Sequence, residues 1–273
     1  MVSAEFSISM SKGTLITVAL FALSGYVANG ATDNWVRNPE VALPPTMKIC
    51  RRTLPVQERN ECIIESIKSY LPTMKEGYAP LGIESFDPYY LPKSRLEFRQ
   101  GELYAKMLLK DIYVSGVSKT KVLGFRSKIN SQKSYMELDV RFPKIFIEAD
   151  YKGRGGYNEF QVNSFGHAKI TITNSTGTWK FLGNTETIEN EEYMMIKSLD
   201  LSNFLVQNMH FDIDGLFPDK DVNELAVGFL NQVWESVYRQ ILPQLKTIWE
   251  PATLEMVNKI FGRVPFRRLM PKE

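Results

Sequence analysis

The sequence has little of what disulfide-rich scaffolds, metal sites and hydrolases require. Only two cysteines and two histidines occur in 273 residues, too few for a scaffold held by several disulfides. There is no Gly-x-Ser-x-Gly and no His-Glu-x-x-His motif. His167 and His210 lie in separate strand-like segments without a neighbouring cysteine or second histidine. We therefore expect structural roles for both, no enzyme activity, no metal site and no cofactor.

Net charge is also small. The chain has 33 basic and 31 acidic residues, interspersed, for a formal net charge of +2. Domains that bind nucleic acid carry basic stripes instead, so we expect no nucleic-acid partner. The one basic cluster in the sequence consists of Arg263, Arg267, Arg268 and Lys272. It predicts a solvated tail, with a transient contact to anionic membrane lipid as the alternative.

Two short motifs look like ligand sites but lack essential parts. Asp212 and Asp214 in FDIDG resemble the start of a calcium loop, yet the further ligands and the closing glutamate are missing. The segment 153–156, GRGG, lacks the lysine and the following helix of a phosphate loop. We expect the first motif to be a strand that runs into a turn, and the second to be the tip of a hairpin.

One apolar run has the form of a targeting segment. Residues 14–28, TLITVALFALSGYVA, follow Lys12 and lead into a small-x-small pattern at residues 28–30. This predicts a signal peptide over residues 1–30, which is removed on export, and one mature domain over residues 31–273 that is secreted. An uncleaved anchor is the alternative, but it would need about 20 apolar residues and a stronger basic flank.

If the protein is exported, two further features predict covalent modifications. In an oxidising compartment Cys50 and Cys62 are expected to form one disulfide, which would tie the N-terminal segment to the first helix. Two free thiols are the alternative. Asn174-Ser175-Thr176 is a glycosylation sequon in a predicted turn, so Asn174 is a candidate for a glycan.

The hydrophobic pattern changes period along the mature chain. Residues 57–74 show helical spacing, with Pro72 expected to kink or end the helix, and the proline-rich segment 79–92 predicts a loop. From residue 95 to about residue 211 the period is two, which predicts strands with one apolar face. Turn-like breaks fall at residues 116, 124, 153–156, 174–177 and 183–184. Consecutive strands with tight turns predict an antiparallel meander.

The last part of the chain is helical again. Asp221 and Glu224 look like a capping pair, and a broad apolar stripe follows over residues 225–248. Pro243 predicts a kink, and Pro251 is expected to begin a second helical piece. A long apolar helix offered to one apolar sheet face predicts an α+β fold in which a curved sheet wraps the helix.

The interior is rich in aromatic residues and methionines, which suit either a plain core or the wall of an apolar cavity. The sequence alone leaves these two interpretations open. As candidate ligand-binding residues of a cavity we select Met107, Tyr135, Phe142, Phe146, Trp179, Met195, Phe229, Leu230 and Trp234. Tyr135 and Gln232 are the candidates for a polar group that orients a ligand.

Several segments together resemble the insect takeout and juvenile hormone-binding protein family. They are the helix-flanking pair Cys50 and Cys62, APLGIESFDPYYLP, YKGRGGYNEF, GLFPDKDVNELAVGFLNQVWESVYRQILPQL and VNKIFGRVPFRRLMP. The resemblance covers nearly all of the mature chain. With the N-terminal cysteine pair only, the chain is similar to takeout-like members, since the members that bind juvenile hormone carry a second bridge.

The resemblance implies a long C-terminal helix wrapped by a highly curved antiparallel β-sheet around an apolar tunnel. This super-roll is related to the lipid-transfer roll of bactericidal/permeability-increasing proteins. It also implies a secreted carrier of a small elongated hydrophobic ligand, isoprenoid, juvenile-hormone-like or fatty-acid-like, in haemolymph or sensory fluid. Roles in feeding, circadian rhythms and chemosensory behaviour are associated with the family. The alternatives are a secreted interaction protein with a solid core, acting through a surface patch on a receptor or membrane, and an enzyme acting on lipid esters. The oligomeric state stays open.

Overall fold

Seven antiparallel strands form one sheet, and helices precede and follow it, within the residues that the computed structural model describes, 37–130 and 132–273. These residues from Arg37 to Glu273 form one compact unit. The predicted signal peptide lies outside the described residues. The elements in chain order are α1 (Val56–Tyr70), β1 (Tyr89–Gln100), β2 (Leu103–Ser115), β3 (Lys121–Ile129), β4 (Lys133–Tyr157), β5 (Phe160–Ile188), β6 (Glu191–Leu205), β7 (Asn208–Ile213), α2 (Lys220–Gln232), α3 (Trp234–Phe261) and α4 (Phe266–Leu269).

The strand order confirms the predicted antiparallel meander. The main path is β1-β2-β4-β5-β6, while β3 pairs with β4 and β7 pairs with β5. The first half of β4 lies between β3 and the second half of β5, and its second half lies between β2 and the first half of β5. The sheet therefore has two halves that share the long strands β4 and β5.

The two halves meet where Pro143 and Asn174 oppose each other. The buried positions of β4 have even numbers up to Val140 and odd numbers from Ile145. Those of β5 have even numbers up to Ile172 and odd numbers from Ser175. Asn174 has a left-handed backbone, with φ of 56°, and Pro143 has no N–H to donate to the ladder. Each strand thus contains one extra residue at this point, as in a β-bulge, and the sheet bends there.

Four of the predicted turns lie inside strands, since Gly124 belongs to β3 and residues 183–184 belong to β5. The sequon 174–176 is at the bend within β5, and the segment 153–156 belongs to β4, whose hairpin turn is at Asn158 and Glu159. The prediction of a hairpin tip at 153–156 was wrong because glycine here serves close packing. A Cβ on Gly153 would lie 3.1 Å from Met107 Cγ and 3.2 Å from a β2 carbonyl oxygen.

The first helix follows its prediction closely. Helix α1 ends at Tyr70 and continues as one 3₁₀ turn, Leu71–Met74, which includes Pro72. The segment predicted as a loop contains a short 3₁₀ turn and the start of β1, so Pro92 lies in a strand. A proline is tolerated there because β1 is at the edge of the sheet, where an N–H is not needed for the ladder.

Helix α3 confirms the long C-terminal helix wrapped by the sheet, but the helix breaks at a different place. The break is at Val233, whereas Pro243 and Pro251 both lie inside α3. Both prolines are exposed, so water can bond the carbonyl groups that they leave unpaired. The capping prediction was also wrong by two residues, since the side chain of Asp219 accepts from Val222 N.

Helix α3 covers the open edges of the sheet. It packs against β6 and also contacts β1, the two ends of the main strand path. Gln244 bonds the backbone of Glu97 in β1, and Asn258 bonds the backbone of Ile196 in β6. The helix thus closes the curved sheet into a roll by satisfying backbone groups that would otherwise face solvent.

The basic cluster near the C-terminus was predicted to be a solvated tail, and this prediction was wrong because its arginines are paired within the fold. Arg263 donates to Leu81 O at 2.8 Å, and Arg267 forms a bidentate pair with Glu191. Arg268 also donates to a backbone carbonyl, that of Pro39, at 2.5 Å. Carbonyl and carboxylate acceptors fix these planar guanidinium groups, and the cluster holds α4 against the roll.

Candidate functional site

A cavity of about 300 Å³ lies between the inner face of the sheet and helices α1 and α3. Most side chains of its wall are apolar. The lining residues are Met47, Lys48, Cys50, Ile63, Ser66, Ile67, Tyr70, Leu71, Phe86, Val117, Thr120, Val122, Phe125, Met136, Leu138, Val140, Phe142, Trp179, Phe181, Met194, Thr253, Met256, Val257, Ile260, Phe261, Leu269 and Met270. This volume is at the lower end of the range for sites that enclose small molecules.

Strand periodicity builds the sheet side of the cavity. Met136, Leu138 and Phe142 occupy alternate positions of β4, so their side chains point to one face. Trp179 lies opposite Leu138 in β5, and Phe181 lies opposite Met136. These cross-strand pairs place large rings side by side on the inner face.

Helix periodicity builds the opposite side. On α1, Ile63, Ile67 and Tyr70 recur every three or four residues and face the cavity. On α3, Val257 and Ile260 recur in the same way. Two helix faces and one sheet face thus form the walls of the cavity.

The wall contains few polar side chains, and the one charged residue among its described residues, Lys48, is paired. Lys48 forms an ion pair with Glu65 at 2.5 Å, and its hydrogen bond to Glu65 lowers the pKa of that carboxyl group. Desolvation raises the pKa of Tyr70 to about 12, so its hydroxyl group stays protonated at neutral pH. The cavity therefore suits an uncharged apolar molecule better than an ion.

The structure brings only some of the predicted site residues to this cavity. Phe142 and Trp179 line it. Leu230 and Trp234 pack in a second apolar cluster, in the other half of the roll. Met195 is buried near Gly262, where a Cβ would lie 3.3 Å from its sulfur atom. Met107 packs over a glycine of β4, outside the cavity wall.

Other predicted residues lie on the outer surface. Tyr135 and Phe146 are exposed on β4, and Phe229 and Gln232 are exposed on α2. Tyr135 has an odd number where the cavity residues are even, and its hydroxyl group donates to Glu137. Because the bend shifts the alternation by one residue, Phe146 faces outward although Phe142 faces inward. These four residues do not line the cavity.

The helical part of the cavity wall was not predicted from the sequence. Ile67 and Tyr70 of α1, and Met256, Val257 and Ile260 of α3, contribute to the cavity. Their helical spacing was visible, but spacing shows which residues share a face and not what that face packs against.

The remaining motifs give no second site among the residues that the structure describes. His167 Nδ1 lies 2.9 Å from Asp150 Oδ1, with both side chains well exposed, and His210 is exposed. No group of three metal-ligating side chains occurs among residues 37–130 and 132–273. In the same part of the chain, no helix has the length and apolarity needed to span a membrane.

The predicted disulfide is confirmed. Cys50 and Cys62 are bonded, with their Cα atoms 5.9 Å apart, so the segment before α1 is tied across the start of that helix. Glycosylation of Asn174 stays a prediction. The amide of Asn174 is half-buried, donates to Gln207 at 2.5 Å and accepts from Arg141 at 2.7 Å.

Comparisons with known proteins agree with this fold. Circadian clock-controlled protein daywake of Drosophila yakuba is 18% identical over 238 residues, which are 84% of this chain and 89% of that protein. The crystal structure of Takeout 1 of Epiphyas postvittana has a TM-score of 0.68 at 18% identity, over 82% of this chain and 99% of that one. The sequence model of the family described as haemolymph juvenile hormone binding protein (JHBP) matches residues 22–271. The chain therefore belongs to the haemolymph juvenile hormone binding protein family.

Proposed function

We propose that the protein is a secreted carrier that holds a small elongated hydrophobic ligand in the cavity between the sheet, α1 and α3. The observation that carries this proposal is a cavity wall made almost wholly of apolar side chains. Membership of a family of hydrophobic-ligand carriers supports it. The ligand would be isoprenoid, juvenile-hormone-like or fatty-acid-like, because such molecules offer a long apolar surface and few polar atoms.

Burial of the ligand would supply most of the affinity. Each CH₂ group removed from water contributes about 0.8 kcal/mol, so a chain of about 15 carbons gains roughly 12 kcal/mol. Association costs at least about 4 kcal/mol of this gain. A dissociation constant near 1 μM corresponds to about 8 kcal/mol, so micromolar binding needs few polar contacts.

The setting of the carrier is also part of the proposal. We propose export through the signal peptide at residues 1–30 and action in haemolymph, as the name of the family suggests, or in sensory fluid. The name of the daywake relative describes it as circadian clock-controlled, which supports a role in biological rhythms. Feeding or chemosensory roles follow from the family resemblance. A transient membrane contact would let the carrier load and release its cargo.

Native mass spectrometry of the secreted protein, followed by organic extraction, tests the carrier function. We expect a lipophilic molecule at a defined stoichiometry, or binding of a fluorescent fatty-acid probe at micromolar concentration by the stripped protein. A protein that is empty and binds neither fatty-acid nor isoprenoid probes would contradict the proposal. That result would favour the interaction protein with a solid core, which the cavity makes the weaker candidate.

A further inference from the structure

A chain of aromatic rings leads away from the cavity into the second half of the roll. Phe142 lines the cavity, and its ring centroid lies 6.3 Å from that of Phe204 in β6. The ring of Phe204 in turn lies 5.5 Å from Trp249 and 6.4 Å from Tyr238, both on α3. Phe204 thus stands between the cavity wall and two side chains that carry hydrogen-bond donors.

Neither donor has a hydrogen-bond partner in the part of the chain that the structure describes. Tyr238 is 6% exposed, and its Oη is buried without a hydrogen bond among the described residues. Trp249 Nε1 is likewise buried without a hydrogen bond to any described residue. Buried polar groups in folded proteins are nearly always hydrogen-bonded, because an unpaired group has lost its bonds to water. Two such donors beside one ring therefore indicate a place where an acceptor binds.

Phe204 occupies space that a glycine provides. A Cβ on Gly177 would lie 2.9 Å from Phe204 Cδ2, so the ring rests directly over the backbone of β5. Phe204 is only half-buried, whereas Tyr238 behind it is fully buried. A passage from the cavity towards Tyr238 and Trp249 would require this one side chain to rotate.

The charges near this cluster favour a neutral acceptor. Lys246 lies between Tyr238 and Trp249 in the sequence of α3, but it already pairs with Asp200 at 2.5 Å and with Glu250 at 3.3 Å. A buried carboxylate on the ligand would therefore need a cation that is committed elsewhere. A ketone, ester or ether oxygen needs only a donor.

We propose that the ligand site continues past Phe204 and that Tyr238 Oη donates a hydrogen bond to a neutral oxygen at the leading end of the bound chain. Trp249 Nε1 is the second donor on the same passage. The ligand class is then a long lipid with an uncharged hydrogen-bond acceptor at one end. This inference rests on the proposed carrier function and assigns the direction in which the ligand lies.

A matched pair of lipids tests it. Pentadecane and 2-pentadecanone have the same number of carbons and differ by one acceptor, and each competes with the apolar fluorophore N-phenyl-1-naphthylamine. We expect the unaltered protein to bind the ketone about fivefold more tightly than the alkane, the ratio given by one net hydrogen bond. Tyr238→Phe should remove this preference and leave alkane binding unchanged.

Tyr113→Phe is the control, because it removes the hydroxyl group of an exposed tyrosine of β2 that does not line the cavity. We expect it to keep the preference for the ketone. The inference is overturned if the unaltered protein shows no preference, if Tyr238→Phe keeps it, or if Tyr113→Phe loses it. If the unaltered protein binds neither lipid, the carrier function itself fails, and the inference fails with it.

Stability provides a second readout. Since Tyr238 Oη has no partner within residues 37–130 and 132–273, Tyr238→Phe should leave the Tm of the protein without added ligand unchanged or raise it. A lowered Tm would show that the hydroxyl group already has an acceptor within the fold, which would contradict its role as a free donor for the ligand.

Discussion

Asn258 bonds the backbone of Ile196 at two points. Its Oδ1 accepts from Ile196 N at 3.0 Å, and its Nδ2 donates to Ile196 O at 2.9 Å. Asn231 does the same to Phe211 of β7, at 2.7 and 2.8 Å. An amide side chain presents the same acceptor and donor as a neighbouring strand, so α2 and α3 cover strand edges without a strand of their own.

Asn258→Ala should destabilise the fold by about 2 kcal/mol, because it removes two hydrogen bonds worth about 1 kcal/mol each. For a chain of this size the Tm should fall by roughly 4–8 °C. Gln232→Ala is the control, since Gln232 is exposed on α2 and should change the Tm little. Thermal unfolding of both variants measures the difference, and equal Tm values would contradict the proposed importance of the edge contacts.

Val257→Phe should block ligand binding without unfolding the protein. Val257 lines the cavity, so the larger ring would occupy space that a ligand needs. Val222→Phe, the same substitution on an exposed position of α2, is the control. Titration of a fluorescent fatty-acid probe should show at least a tenfold weaker Kd for Val257→Phe only. Unchanged binding in Val257→Phe would place the ligand elsewhere.

Asp87 should make stability fall in acid. Desolvation raises the pKa of Asp87, but hydrogen bonds from the Ser118 side chain and from the backbone N–H groups of Gly116 and Ser118 lower it by more. The pKa of Asp87 is therefore below its usual value. Because the pKa is lower in the folded state than in the unfolded state, ionised Asp87 stabilises the fold above about pH 4. That contribution is lost as the pH falls through the pKa of the folded state.

Chemical denaturation at pH 5, 4 and 3 measures this dependence. Asp87→Asn should lower the free energy of unfolding at pH 5 and show a shallower decline towards pH 3 than the unaltered protein. Asp212→Asn, at an exposed position, should keep the full decline. If the slopes of all three proteins coincide, Asp87 is not the group responsible.

Removing the disulfide should destabilise the protein by about 3 kcal/mol, the value expected for a loop with a sequence separation of 12. We expect the double variant Cys50→Ser, Cys62→Ser to have a Tm lower by roughly 6–12 °C. A reductant should lower the Tm of the unaltered protein by a similar amount and leave the variant unaffected. A reductant effect on the variant would show that the loss has another cause.

The elements were largely predictable from the sequence, because periods of two and of three to four residues are local properties. The length of β4 and β5 was not. Pro143 and Asn174 are residues typical of turns, and here they produce a bend because they oppose each other across two strands. That pairing joins residues that are far apart in the sequence, so the local pattern around either residue does not predict it.

The candidate site was predictable only in part, for the same reason. Phe142 and Trp179 were identified as large apolar residues of strands, but Tyr135 and Phe146 have the same character and face outward. Which positions face the interior depends on the phase of the alternation, and the bend reverses that phase. Tyr238 and Trp249 carry a separate signal, their unpaired donors, which exists only in three dimensions.

Helix α3, which covers β1 and β6, follows both strands in the chain. During synthesis the sheet therefore leaves the ribosome with these edges bare, and it stays so until about 60 more residues after β6 have been added, from Leu205 to Phe261. Exposed edges pair readily with other chains. Chaperones that shield strands should matter most in this interval, and a chain that is cut short before α3 should aggregate instead of folding into a smaller roll.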